Sequence, residues 1–483
     1  LNYYLLAPEI CLLCTAFVVV LADLFLQQKR ILAAVGIVGL VVSMGLSLSL
    51  WGNGGETLFD GMLAVDEFAL FFKLFFSVAA ILVILASTDY VLRFPRFQGE
   101  YYALVLLSTL GMMLMAATRE LISIYIALEL TSISLYVLVG FLKDPKSTEA
   151  GLKYLLLGAV ASAVLLYGMA LVFGFSGQTH LEAIATSIEA QLVGRAWDNP
   201  GLLLGLILLV AGLGFKIAAV PFQMWAPDVY EGAPTPITAY LSVASKAAGF
   251  AVILNVFLIA FGTDLCFDWA MIFAVLSAIS MTLGNVVAIS QTNIKRMLAY
   301  SSIAHAGYLM IGLAAVTKAT SVADFGPTGL IFFLLSYAVT NLGAFIAIIA
   351  ISDKIDSDLI DDYSGMGRRA PLLALALTVC LVSLTGLPPT AGFLAKLYIF
   401  NAAVHHGLTW LMIVAVINTV ISAYYYFRVA KTMWLGAPIS EQGIPSSRPL
   451  RAGLSIACLG ILVIFFMPGP FLNIAQTVVG ALP

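Results

Sequence analysis

Apolar stretches of about 20 residues recur along the whole chain, and each is the length a helix needs to cross the hydrocarbon core of a bilayer. Between them lie short polar segments. One helix per stretch predicts about fourteen, over 3–26, 31–52, 66–87, 101–118, 120–142, 151–175, 201–224, 236–262, 268–290, 297–316, 326–352, 371–403, 408–434 and 451–479. No Ser/Gly linker or low-complexity tail interrupts them, so the pattern predicts one all-α polytopic bundle.

Composition agrees: 61% of the 483 residues are hydrophobic, 10% are charged, and the mean hydropathy is +1.04. Soluble domains carry about 25% charged residues. The net charge of −3 and the lack of a basic run leave no nucleic-acid footprint. Five scattered cysteines (11, 14, 266, 380 and 458) do not make a disulfide framework, and Cys11 and Cys14 read as two small core side chains one turn apart. The first apolar segment lacks a basic start and contains Glu9 and Asp23, so no cleavable signal is expected.

Lys and Arg divide unevenly between the two sets of loops. Loops 1–2, 3–4, 5–6, 9–10, 11–12 and 13–14 hold fifteen; the alternate loops hold Arg119, Arg195 and Lys318. The positive-inside rule then places both termini outside.

Those eighteen leave five of the 23 basic residues inside predicted helices: Lys73, Lys153, Lys216, Lys246 and Lys396. A lysine at the centre of a membrane helix costs roughly 2.5–3.5 kcal/mol to insert, so it normally faces a wet or protein-lined interior and marks an ion path. Lys73 and Lys153 lie near helix ends, where snorkelling accounts for them equally well. Lys216, Lys246 and Lys396 are too deep for that. Glu129, near the middle of helix 5, matches them in depth. Burial disfavours the charged form of a lysine or a carboxyl, and pairing opposes that, so a small change in separation tips such a pair. A row of lysines can therefore relay protons. His305 in helix 10 either extends the relay or is a hydrogen-bonded structural histidine.

Proline breaks lie beside two of these lysines. Pro221 follows Lys216, while Pro388, Pro389 and Gly392 precede Lys396. Non-helical backbone at membrane depth persists only against protein or a water-lined cavity, so both breaks predict hydration beside a lysine. Broken helices in two halves of a chain are typical of inverted-repeat transporters. A weak internal repeat pairs "LYVLVGF" (135–141) with "GYLMIGL" (307–313) and "GLGFKIAAVPF" (212–222) with "TAGFLAKLYIF" (390–400), at offsets of 172 and 178.

The stretches "ALELTSISLYVLVGF", "GLGFKIAAVPFQMWAPDVYEGAPTPITAYLSVASKAA", "GNVVAISQTNIKRMLAYSSIAHAGYLMIGL" and "SLTGLPPTAGFLAKLYIF" resemble the antiporter-like membrane subunits of respiratory complex I, NADH:quinone oxidoreductase, and most nearly the type called N or 2. The likeness runs in order from about residue 100 to 430. It implies fourteen helices, with helices 4–8 and 9–13 as inverted repeats and helices 7 and 12 broken. The chain then divides into 1–100 (helices 1–3), 101–265 (first repeat), 266–436 (second repeat) and 437–483 (helix 14). It also implies roles: Glu129 and Lys216 as the pair gating proton uptake, Lys246 as the central link, Lys396 on the exit side, and Lys153 as a helix 6 lysine of the N type.

Related L- and M-type subunits and sodium/proton antiporter subunits usually have a histidine where this chain has Gln223, which favours the N type. The implied function is proton translocation driven by redox chemistry elsewhere. This chain shows no iron–sulfur cysteine set, Rossmann fingerprint or phosphate loop; FMN, iron–sulfur clusters and quinone belong to partner subunits. The implied partners are other membrane subunits of complex I, further antiporter-like subunits among them, and the lipid of an energy-transducing membrane, foremost a bacterial plasma membrane. Two rivals are a subunit of a multi-subunit sodium/proton antiporter and a passive scaffold whose charges only pair helices.

Overall fold

The computed structural model describes residues 2–52, 55–93, 96–191, 199–262, 266–316, 325–438, 440 and 442–482. Arg195 and Lys318, two of the three basic residues assigned to the sparse loops, lie outside the described residues. Fourteen helical spans follow one another, labelled here in the order of the sequence reading: α1 (Ala7–Phe25), α2 (Arg30–Ser49), α3 (Glu67–Tyr90), α4 (Gln98–Ala117), α5 (Leu121–Val139), α6 (Pro145–Ser176), α7a (Pro200–Ile217), α7b (Trp225–Gly232), α8 (Thr235–Ala260), α9 (Cys266–Ile289), α10 (Ile294–Ala314), α11 (Phe325–Ile355), α12a (Pro371–Thr385), α12b (Ala391–His405), α13 (Thr409–Leu435), α14a (Arg448–Phe466) and α14b (Pro468–Gly480). Thirteen of these helices among the described residues are long and apolar enough to cross a membrane. Span 12 falls short because its break divides it into two helices of 15 residues.

Nearly every residue of α8, α10 and α11 is buried, which makes them the centre of the bundle, while α1, α6, α13 and α14a turn broad apolar faces outward. In α10, small side chains allow this. α10 reads "AYSSIAHAG", and a Cβ on its Gly307 would sit 2.8 Å from the Met281 backbone nitrogen and 2.9 Å from the Ser277 carbonyl of α9. Small residues of this kind let membrane helices approach backbone to backbone.

Several boundaries differ from the sequence reading. α6 starts at Pro145, capped by Asp144, rather than at 151. The predicted 451–479 is two helices meeting at Met467, where Pro468 begins the second. Span 7 resumes after its break as α7b. A two-stranded hairpin (β1, Glu56–Leu58; β2, Leu63–Val65) joins α2 to α3, and an amphipathic helix, Leu181–Gln191, lies between α6 and α7a. α8 carries π-turns at Leu241–Ser245 and Val256–Ala260; neither leaves a mark in the sequence.

The breaks in spans 7 and 12 share a register. Ala218 caps the end of α7a and Gly386 that of α12a, each in the left-handed region (φ 58° and 85°). The offset is 168 residues (218 to 386), and Pro221 and Pro389 keep it. The string match of 212–222 with 390–400, at 178, would set the two breaks ten residues apart. At 168, Lys216 falls opposite Leu384 and Asp228 opposite Lys396.

Candidate functional site

A helix that stops inside the bundle leaves its last carbonyls without intrahelical partners, and the negative end of its dipole favours a cation there. Of the two deep lysines beside breaks, Lys396 meets such carbonyls directly. Lys216 is buried in the last turn of α7a, and its Nζ donates to Ser132 Oγ of α5 at 3.1 Å. Lys396 lies on α12b and reaches back across the break, donating to the carbonyls of Leu384 (3.2 Å) and Thr385 (2.9 Å) at the end of α12a. Its ammonium also stands 4.5 Å from the centroid of the Tyr308 ring.

Each of these lysines borders a small cavity of about 10 Å³. Ser132, Tyr136, Tyr154, Ser162 and Phe215 line the first; His305, Ser336, Thr340 and Ser383 line the second. That volume is about one water, and hydroxyls face it in both places. Serine hydroxyls pin both breaks: the backbone N–H of Val220 donates to Ser280 Oγ of α9 (2.9 Å), and that of Gly392 on α12b to Ser383 Oγ of α12a, across the break (3.2 Å).

Glu129 comes to the same cluster as Lys216 without touching it. Its carboxylate accepts from Ser162 of α6, and Ser132, one turn along α5, holds the ammonium. Two serines thus stand in the positions where the sequence reading expected a direct ion pair. Lys246 follows the first π-turn of α8, and its buried Nζ donates to the Ser302 carbonyl of α10 at 2.8 Å. A Cβ on Gly249, one turn along α8, would lie 3.3 Å from Lys216 Cγ, so the stem of one lysine packs beside the helix that carries the next. His305 is one turn beyond Ser302; its Nε2 faces the Tyr426 hydroxyl at 3.5 Å, and its ring packs on Tyr337. Lys216, Lys246, His305 and Lys396 therefore form a buried row across α7a, α8, α10 and α12b, with the half-buried Glu129 of α5 at its start.

Lys153 is not in that row. Its side chain is 42% exposed and pairs with Glu149 (2.8 Å) and with Asp228 of α7b (2.7 Å). Asp228 also binds Arg296 of α10 at 2.7 Å, and Arg296 reaches Glu231 at 3.0 Å. Lys73 is no snorkelling residue either: it is buried against Glu9 of α1 at 2.6 Å. Sequence spacing offered no pointer to that partner, two spans away. Ser132, Ser162 and Ser302 were missed because serine is common in membrane helices, and Asp228 because "PDVYEG" reads as a loop.

On the face where loops 5–6, 7–8, 9–10 and 11–12 meet, a cavity of about 640 Å³ opens, lined by Asp144, Glu231, Lys295, Arg296, Asp353 and Asp358 among others.

A many-span helical bundle with two broken helices and a buried row of lysines between them is the architecture of an ion-translocating membrane subunit. The family model described as NADH:quinone oxidoreductase/Mrp antiporter, TM, matches residues 118–422, and the chain belongs to that family. It is 52% identical to NADH-quinone oxidoreductase subunit N of Dehalococcoides mccartyi, over 98% of each chain. A chain of respiratory complex I from Thermus thermophilus with bound aureothin superposes with a TM-score of 0.80 at 33% identity, covering 96% of this chain and 98% of that one. A chain of the Mrp complex from Dietzia sp. shares the fold (TM-score 0.86, 100% and 98% covered) at 19% identity.

Proposed function

We propose that the chain is the N-type, proton-translocating membrane subunit of a complex I type NADH:quinone oxidoreductase. The observation that carries this reading is the row from half-buried Glu129 through the buried lysines to Lys396, set at two helix breaks, in a chain 52% identical to a subunit N. Glu129 and Lys216 form the uptake pair. Drawing the carboxylate toward the ammonium, past Ser132 and Ser162, holds the proton on Lys216; withdrawing it releases the proton along the row. Lys246 receives it at the centre, His305 bridges toward α12, and Lys396 delivers it to the exit side.

The redox steps take place elsewhere. Described thiols lie in pairs, on α1 and between α12a and α14a, short of a four-thiolate set. This reading assigns FMN, the iron–sulfur clusters and the quinone site to partner subunits. Other antiporter-like subunits flank the chain in an energy-transducing membrane, foremost a bacterial plasma membrane, with both termini on the outer side. The chain divides as helices 1–3, two five-helix repeats (101–265 and 266–436), and span 14.

Replacing Lys246 by Ala tests the reading in the assembled complex. Proton pumping per electron should fall in membrane vesicles while the complex still assembles; an unchanged ratio sinks the relay. Sodium-dependent proton flux without quinone reductase activity would instead favour the antiporter.

A further inference from the structure

At the 168-residue offset of the two breaks, Asp228 occupies the place that Lys396 occupies in the second repeat. One half-helix carries an anion where its counterpart carries the exit lysine. Lys396 turns inward to the carbonyls across its own break. Asp228 turns the other way, and one carboxylate bridges two elements: Oδ2 to Lys153 of α6 and Oδ1 to Arg296 of α10, each at 2.7 Å. Since Glu231 also binds Arg296, α7b is tied on one side to its own repeat and on the other to the next.

The tie leads directly to Lys216. Tyr154, next to Lys153, stacks on Trp225, the first residue of α7b, with centroids 4.6 Å apart and planes 17° from parallel. The Trp225 indole N–H donates to the carbonyl of Phe215, the residue before Lys216, at 2.9 Å. Tyr154 and Phe215 are also walls of the Lys216 cavity. At the far end of α7b, a Cβ on Gly232 would lie 2.6 Å from Ala150 Cβ and 2.7 Å from the Lys146 carbonyl, so α7b lies against the first turns of α6 with no room to spare. A shift of α7b along α6 must move the wall of the cavity.

The ion pairs border an open crevice of about 210 Å³, where Lys153 is 42% exposed and Asp228 and Arg296 are 32% exposed. Pairs this exposed add little to stability. Their geometry is what distinguishes them. Resting on the proton-translocating reading above, we propose that Asp228, with Lys153 and Arg296, is a positioning latch that fixes α7b relative to both repeats and so sets the geometry around Lys216. Lys153 accordingly acts through the break rather than carrying the proton.

The test uses the whole complex in inverted membrane vesicles, comparing Asp228→Asn, Lys153→Gln and Lys153→Arg with Lys216→Ala. Coupled pumping should fall by about tenfold in the first two, within the range that displacement of a working group produces. Lys153→Arg, which keeps the charge, should keep pumping, and adding Asp228→Asn to Lys216→Ala should cause no further loss. Should Asp228→Asn fail to assemble, Lys153→Gln decides, because it leaves Arg296 on the carboxylate. Normal pumping in Lys153→Gln, or an equal loss in Lys153→Arg and Lys153→Gln, overturns the latch. Normal pumping in Lys216→Ala overturns the proton-translocating reading itself, so the two failures are distinguishable.

Discussion

The two helix breaks solve one electrostatic problem from opposite sides. In span 7 the lysine belongs to the half-helix whose C-terminus the break exposes; in span 12 it belongs to the following half and reaches back 11 and 12 residues, to Thr385 and Leu384. Their sequence positions therefore do not correspond. What corresponds is the place: Lys216 falls opposite Leu384, and the Leu384 carbonyl is one of the two that hold Lys396. Both breaks thus place an ammonium near the end of a buried half-helix, where the helix dipole favours it; open carbonyls hold that of Lys396 and the Ser132 hydroxyl holds that of Lys216. The residue that supplies it has changed.

Moving the charge has the largest expected effect. Lys216→Ala and Lys396→Ala should each reduce coupled turnover by about a hundredfold, the scale of losing a positioned proton-transfer group. The double substitution Leu384→Lys with Lys396→Ala then returns an ammonium to the end of α12a in the manner of span 7. Recovery of part of the pumping, measured as protons per electron in vesicles, supports an equivalence of place. No recovery in an assembled complex means that Lys396 is needed for its own position, beside Tyr308 and His305.

A smaller effect separates the residues that turn the two breaks. Gly386 has φ 85°, and a Cβ there would lie 2.7 Å from Lys396 Cδ. Gly386→Ala should lower stability by about 1–2 kcal/mol through its left-handed backbone alone. It should also lower pumping, because the lysine stem cannot yield without leaving Leu384 and Thr385. Thermal inactivation of the purified complex reads the first effect and vesicle pumping the second. A stable variant that pumps normally would show that the stem has slack.

Sequence periodicity located the spans, and proline located both breaks, because these features act on the chain locally. The deep lysines stood out as charges in apolar runs. Longer-range features were harder to read. "WAPDVYEG" carries two acids and a proline, yet it is helical because Lys153 and Arg296, from distant elements, neutralise the acids and Trp225 closes back on Phe215. Glu9 had no visible partner until the fold brought Lys73 of α3 within reach of α1. Short apolar strings aligned the repeats at 178 because such strings match easily; the left-handed caps and prolines fix 168. The serines that separate Glu129 from Lys216 could be placed only by helix packing.

The smallest effect belongs to Ala218, which turns span 7 as Gly386 turns span 12. Its φ of 58° is strained for a residue with a Cβ, so glycine relieves about 1–2 kcal/mol. Against that, glycine adds about 0.5–1 kcal/mol of backbone entropy cost. It also removes one fully buried methyl, worth about 0.8 kcal/mol. These terms nearly cancel, so Ala218→Gly should shift the thermal midpoint little and leave pumping unchanged. The contrast with Gly386→Ala follows from what lies over each turn: at Gly386 the added carbon meets the Lys396 stem, while at Ala218 Lys216 is already anchored two residues upstream. A loss of pumping in Ala218→Gly would show that the left-handed cap of α7a itself helps to hold Lys216 on Ser132.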